Sequence, residues 1–214
     1  MGEGLEMEME MTLDFTSAAP ATELEALAEK LRARNFEVVI VQDGAEAKAE
    51  VLKRIPEGAM VHSGKSKTLE DAGIFTEFME SGRYDFVRKA TMKMDRNTQR
   101  DAMRKLGAAP DFMVNSAHAV TQDGQIVITS ASGSQIGPIA SGAGKLILVV
   151  GSQKIVPDLD AAFRRIKDYV FPYEDARLRE TIGIGTKITR TLILEQDFMP
   201  GRTTIVLVRE PIGV

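Results

Sequence analysis

Two short segments of the chain, residues 111–115 and 146–150, are almost uninterruptedly apolar, and they limit the possible folds more than any other feature. A strand with one face in solvent alternates apolar and polar residues, whereas a strand covered by helices on both faces is apolar throughout. The two segments therefore predict buried strands of a parallel sheet.

The segments around these strands alternate between helical and extended patterns. Helices are predicted at residues 22–35, 45–55, 68–80 and 97–106, and strands at residues 36–41, 59–62, 84–87 and 203–208. Residues 119–130 are typical of an antiparallel hairpin that turns at Asp123-Gly124. This order predicts an α/β fold, with a mainly parallel sheet, helices on both faces and an inserted antiparallel hairpin.

Short polar motifs predict where two of the helices begin and end. Thr68 and Asp71 match a helix-capping pair and place a helix start just after residue 67. Asp158 predicts the start of a later helix, and Phe171-Pro172 predicts its end.

Ligands of parallel sheets bind beyond the carboxyl ends of the strands. The loops that follow the predicted strands are residues 63–67, 115–118, 130–135 and 151–154. A binding site is therefore expected where these loops converge.

The first of these loops, Ser63-Gly64-Lys65-Ser66, has the composition of an anion site. Small residues leave backbone N–H groups uncovered, and the lysine adds positive charge. The loop lacks the glycine spacing of a phosphate-binding P-loop. An ordinary strand-to-helix turn, with Lys65 in solvent and the serines as caps, remains the alternative.

His62 and His118 are the only histidines, and each is placed at or after a predicted strand. If they converge, they could form a general acid/base pair, or a weak metal site with Asp123. Asp123 is itself a candidate catalytic base. The alternatives are partly buried structural histidines and an ordinary Asp-Gly hairpin turn.

The later loops offer further ligand-binding candidates. Ser132, Gly133 and Ser134 belong to a small polar loop that could form the second half of an anion pocket, or simply a flexible connection. Ser116 lies in the loop after the strand at residues 111–115.

Composition narrows the class of protein. The chain has 214 residues, enough for one sizeable domain, and we expect a single domain at residues 21–214 after a flexible arm at residues 1–20. A net charge of −4 argues against a nucleic-acid partner. The absence of cysteine excludes a cysteine-ligated iron–sulfur cluster on this chain. No signal peptide or membrane span is predicted, so we expect a cytoplasmic protein.

Several motifs together resemble the LUD (lactate utilization) domain family. They are Ile55-Pro56-Glu57-Gly58-Ala59 with Ser63-Gly64-Lys65-Ser66, then residues 115–124, 150–159 and 202–213. The resemblance covers about residues 24–214. It implies the fold shared by ribose-5-phosphate isomerase, glucosamine-6-phosphate deaminase and CoA transferases.

The resemblance also implies a function. Some family members belong to a system that oxidises L-lactate to pyruvate beside iron–sulfur subunits. We therefore expect an accessory component that binds a small anionic or phosphorylated metabolite and works with iron–sulfur partner subunits. Two alternatives remain: a stand-alone enzyme of the sugar-phosphate isomerase or CoA-transferase kind, and a non-catalytic ligand-sensing module. The fold and the methionine-rich segments also suggest a homo-oligomer.

Overall fold

The structure is a computed structural model that describes residues 14–214. The described residues form ten strands: β1 (Glu37–Val41), β2 (Met60–Ser63), β3 (Asp85–Phe86), β4 (Phe112–Asn115), β5 (Ala119–Thr121), β6 (Ile126–Ser130), β7 (Lys145–Gly151), β8 (Ile155–Val156), β9 (Arg190–Leu194) and β10 (Thr203–Val208). They also form eight α-helices: α1 (Ala21–Ala33), α2 (Gly44–Arg54), α3 (Lys67–Asp71), α4 (Ile74–Glu80), α5 (Val87–Thr91), α6 (Arg100–Leu106), α7 (Leu159–Arg165) and α8 (Phe171–Ile182).

Six of the strands form a parallel sheet in the order β1-β10-β7-β4-β2-β3. The two apolar segments of the sequence become β4 and β7, which are adjacent and lie inside this sheet. The predicted α/β fold with a mainly parallel sheet is therefore confirmed.

The two faces of the six-stranded sheet bury separate cores. Alternate residues of β7 point to opposite faces, as the period of a strand requires: Leu148 joins one core and Val149 the other. The core with Val149 is covered by apolar residues of α2, α3 and α4, such as Phe78. The core with Leu148 is covered by α1 and by residues of β5 and β6.

A second sheet has the strand order β8-β5-β6-β9. It contains the predicted hairpin, since β5 and β6 pair antiparallel and Gly124 takes the φ of +92° that the turn needs. Its outer face packs on α7 through Ala161 and Ala162. The strand β9 was not predicted from the sequence.

Three expectations about helices are wrong. The helix predicted over residues 68–80 is divided into α3 and α4 by Gly73, whose φ is +68°. Ser66, not Thr68, caps α3, because its side chain accepts from the Leu69 N–H at 3.5 Å. Phe171-Pro172 does not end a helix; α7 continues through a π-helical turn at Ile166–Val170 into α8.

The expected flexible arm at residues 1–20 falls mostly outside the described residues. Within its described part, the ring of Phe15 lies 6.4 Å from the ring of Tyr169. The division into an arm and a single domain stays a prediction. In residues 14–214, no helix has both the length and the apolar character needed to cross a membrane.

Candidate functional site

A cavity of about 400 Å³ lies at the carboxyl edge of the six-stranded sheet. All four predicted loops supply residues to its walls: Lys65 after β2, Ser116 after β4, Ser132 after β6 and Lys154 after β7. The loops after β2, β4 and β7 converge because the carboxyl ends of parallel strands meet at one edge of a sheet. The loop after β6 comes to the same cavity from the second sheet. Residues of α8 and of the segment that follows it, including Lys187, complete the lining.

The lysine, arginine and acidic side chains that line the cavity are mostly basic. They are Lys65, Lys67, Arg88, Arg96, Lys187 and the buried Lys154, against Glu174. Glu174 is neutralised by Arg177 at 2.5 Å, and Lys67 pairs with Asp71. The cavity therefore carries an excess of positive charge.

Arg88 and Arg96 bring two guanidinium groups to the same cavity. Burial lowers the pKa of Arg88, and the positive charge of Arg96 lowers it further. Among the described residues, no carboxylate lies within ion-pair distance of either arginine. The charge of Glu70 acts on Arg88 from farther away and raises its pKa. Each guanidinium therefore retains the capacity to bind an anion.

Lys154 is a fully buried lysine, with 1% of its surface exposed. Its Nζ donates to Thr68 Oγ1 at 2.7 Å and to Ser116 Oγ at 3.1 Å. Burial lowers the pKa of this amine well below its usual value, and Arg165 acts in the same direction. The amine is therefore held in a site that favours its neutral form.

His118 lies beside this amine in the cavity wall. Its Nδ1 accepts from the Thr129 N–H at 3.1 Å, so the neutral ring carries its proton on Nε2. Burial, then the charges of Lys154 and Arg165, lower the pKa of His118 to about 3. The ring is thus a neutral hydrogen-bond donor at physiological pH.

His62 lines the same cavity from the end of β2. Burial, with a smaller effect of Arg88, lowers its pKa to about 4. Its Nδ1 is buried without a hydrogen-bond partner in the described part of the chain. The two histidines share one cavity, as the sequence suggested, and both are neutral there.

The loop after β2 also lines the cavity, but its residues differ in exposure. Ser63 is fully buried, and its Oγ has no partner among the described residues. A Cβ on Gly64 would collide with Oε1 at the end of the Gln135 side chain, so a larger residue here would require Gln135 to move. Lys65 is exposed, and Ser66 is occupied by capping α3.

The loop after β6 is only partly in the cavity wall. Ser132 and Ser134 line the cavity, and their hydroxyl groups lie 3.0 Å apart. Gly133 is not among the lining residues; its α-carbon faces the side chain of Arg190.

Asp123 is not placed with the other candidates. It lies in the turn between β5 and β6, its side chain is 75% exposed, and it pairs with Lys30 at 3.0 Å. It is not among the residues that line the cavity. Across residues 14–214, no three or more His, Asp or Glu side chains are grouped so that they could hold a metal ion.

Sequence reasoning missed three basic residues of the cavity wall, Arg88, Arg96 and Lys154. The first two lie in and after α5, which follows the short edge strand β3. Lys154 was inside a predicted site loop but was not singled out. The sequence did contain an indication of its role. Lys154 is a lysine in the loop after a buried strand, at the edge of the sheet where ligands bind in such folds.

The fold and this cavity define an α/β protein with a basic cavity at the carboxyl edge of its parallel sheet. The sequence model of the LUD domain matches residues 24–208, and the chain belongs to the LUD domain family. A solved structure of a DUF162 family protein from Deinococcus radiodurans is similar, with a TM-score of 0.51 and 14% identity. The match covers 90% of this chain and 99% of that chain, and at this identity it shows the fold. No curated protein matches the sequence.

Proposed function

We propose that this chain is an accessory component of L-lactate oxidation to pyruvate that binds a small organic anion in the basic cavity. The observation that carries the proposal is the pair Arg88 and Arg96, two cations without a carboxylate partner in the described residues. A bound carboxylate or phosphate would relieve their mutual repulsion and accept their hydrogen bonds.

The lactate-utilization part of the proposal rests on membership of the LUD domain family. Oxidation of a 2-hydroxy acid to a 2-oxo acid releases two electrons, which need an acceptor. Because the chain contains no cysteine, it has no ligands for a cysteine-bound iron–sulfur cluster. Partner subunits with iron–sulfur clusters would therefore take the electrons, while this chain holds the anion.

The stand-alone isomerase or transferase is the less favoured alternative. Such reactions need a general base near the substrate, and Asp123 lies outside the cavity lining. His62 and His118 do line the cavity and are the remaining candidates for that base. Turnover of a sugar phosphate or an acyl-CoA by the isolated chain would support this alternative.

Calorimetric titration of the purified chain with pyruvate, L-lactate and a sugar phosphate tests the proposal. Arg88→Ala should weaken binding of the anion by about tenfold or more, because Arg88 is partly buried and a charge-assisted hydrogen bond contributes ~1.5–3 kcal/mol. Lys65→Ala should weaken it less, since Lys65 is solvent-exposed.

The matched control is Lys53→Ala. This lysine carries the same charge, its side chain is 74% exposed, and it does not line the cavity. If Lys53→Ala and Arg88→Ala weaken anion binding equally, the effect comes from net charge alone, and a site in the cavity is contradicted. Absence of binding for all three anions would contradict the proposal itself.

A further inference from the structure

The backbone around Lys154 is fixed by the segment that follows β10. Lys154 ends a short 3₁₀ turn, Ser152–Lys154, directly after β7. Ser152 Oγ donates to the Arg209 carbonyl at 2.6 Å, and Gln153 Nε2 donates to the Ile212 carbonyl at 3.0 Å. Both residues that precede Lys154 are therefore hydrogen-bonded to the segment after β10. These bonds fix the position of the Lys154 backbone.

The hydrogen bonds of this amine match its neutral form. The hydroxyl of Ser116 donates to the Ala117 carbonyl at 3.2 Å, so its oxygen is free to accept from Lys154. Thr68 Oγ1 is the second acceptor. A neutral amine has two hydrogens, which these two oxygens accept, and the remaining position on nitrogen holds a lone pair. A third N–H of an ammonium group would have no partner among the described residues.

The surroundings also favour a nucleophilic amine. Only hydroxyl groups accept hydrogen bonds from Nζ. Burial and the charge of Arg165 lower the pKa of the amine, and the opposing charge of Asp71, which is paired with Lys67, has a smaller effect. A desolvated lysine with a lowered pKa is the form that attacks carbonyl carbons. Lys154 is among the lining residues with 1% of its surface exposed, so a reacting ligand would have to lie directly against this wall of the cavity.

We propose that Lys154 forms a Schiff base with the 2-oxo group of a small 2-oxo acid bound in the cavity. This inference rests on the proposed function, because the arginine and lysine side chains of the lining would hold the acid's carboxylate.

The step balances without another reagent. The lone pair of Nζ forms a bond to the keto carbon, and both amine hydrogens leave with the former carbonyl oxygen as one water molecule. The product is a carbon–nitrogen double bond between the substrate carbon and Nζ. The Nε2–H of His118 is the group in this wall that can donate a hydrogen bond to the departing oxygen.

Reductive trapping tests the inference. The full chain is incubated with pyruvate, reduced with sodium borohydride, digested and mapped by mass spectrometry. We expect the reduced pyruvyl adduct on the peptide that contains Lys154. L-lactate, which has no carbonyl group, should give no adduct. Lys154→Met should lose the adduct to background, whereas Lys53→Met, a substitution outside the cavity, should retain it.

The possible failures separate the two proposals. Calorimetric binding of pyruvate without an adduct on Lys154 would overturn the Schiff base and leave the anion site standing. Absence of both binding and adduct would overturn both. An adduct spread over the exposed lysines would also overturn the inference. Mapping of the unsubstituted chain locates the adduct even if Lys154→Met does not fold.

Discussion

At the scale of single residues, His62 and His118 make the fold sensitive to mild acid. Folding lowers their pKa values from 6.5 to about 4 and about 3. Below pH 6.5 the unfolded chain therefore binds protons that the folded chain does not, and the free energy of unfolding falls as the pH falls. Between pH 7 and 5.5 we expect each histidine to remove about 1 kcal/mol, measured by urea denaturation at both pH values.

The control for this prediction is the double variant His62→Gln/His118→Gln. Glutamine does not titrate, and its side-chain oxygen can still accept the Thr129 N–H. The variant should lose most of the pH dependence in this range. If its free energy of unfolding falls as steeply as that of the unsubstituted chain, other groups are responsible.

Two glycines with similar backbone angles should respond differently to alanine. Gly58 and Gly213 have φ values of +77° and +73°, but a Cβ on Gly58 would have nothing within 4 Å. A Cβ on Gly213 would lie 2.7 Å from the backbone nitrogen of Thr68. We expect Gly58→Ala to cost about 1 kcal/mol for the left-handed conformation alone. Gly213→Ala should cost about 2 kcal/mol or more, because the backbone at Thr68 must also move.

Chemical denaturation of the two variants measures this difference. Equal losses of unfolding free energy would mean that the segment after β10 can move at little cost, so that a Cβ on Gly213 does not strain the backbone of α3. Because Thr68 Oγ1 also accepts from Lys154, Gly213→Ala should disturb the amine site as well.

The loop residues of the site could be predicted from local sequence, whereas its charge could not. Small residues after a strand indicated the Ser63 loop, and the structure places it in the cavity wall. The partners of Lys154, in contrast, are Thr68 and Ser116, which are distant along the chain. Local patterns carry no information about such contacts. From the sequence, Asp123 was therefore named as a candidate catalytic base, whereas Lys154 was not named as a site residue.

At the scale of elements, α7 depends on its N-cap. Asp158 accepts the Ala161 N–H at 2.8 Å, as the sequence predicted. Asp158→Ala should cost about 1 kcal/mol of stability, since that N–H loses its partner. Asp158→Asn, which retains a side-chain oxygen, should cost much less.

Urea denaturation of the two variants provides the measurement. A loss in Asp158→Asn as large as that in Asp158→Ala would assign the effect to charge and not to the cap.

The other end of this helix was mispredicted for a physical reason. Proline lacks the N–H that continues a helix, so Phe171-Pro172 indicated a stop. In the structure a π-helical turn at Ile166–Val170 precedes it, and Pro172 occupies the first turn of α8. The Phe171 N–H donates to the Ile166 carbonyl, five residues back, so the helical path passes through the π-helical turn and Pro172 without ending. Sequence pattern alone does not reveal that a helix can continue in this way.

At the scale of the whole molecule, β10 joins the first strand to the rest of the sheet. It pairs with β1 on one side and with β7 on the other. Leu207, in the middle of β10, is fully buried. We expect Leu207→Ala to lower the free energy of unfolding by about 2–5 kcal/mol, because it leaves a cavity in the core that also contains Leu148.

Leu192→Ala is the matched control for Leu207→Ala. Leu192 is only half-buried in β9, at the edge of the second sheet. Its truncation should reduce the free energy of unfolding clearly less in urea. Equal losses would contradict the central role of β10.

The class of fold could be predicted from the sequence, but the neighbours of each strand could not. The apolar segments that became β4 and β7 showed that these strands are buried, and they are paired in the structure. The pairing of β1 with β10 left no local trace, because period and composition do not specify a partner. The edge strand β9, half-buried along much of its length, gave too weak a pattern to predict.

The pairing of β1 with β10 has a consequence for the chain as it leaves the ribosome. Glu37 to Val41 find their partners only when Thr204 to Val208 have been made. At translation rates of ~5–20 residues per second, this wait lasts on the order of ten seconds. During it, β1 has no partner strand on either side, and once residues 145–151 have been made one edge of β7 is unpaired as well. Such edges can pair with other chains. The nascent protein therefore has a long interval in which chaperone binding would protect it from aggregation.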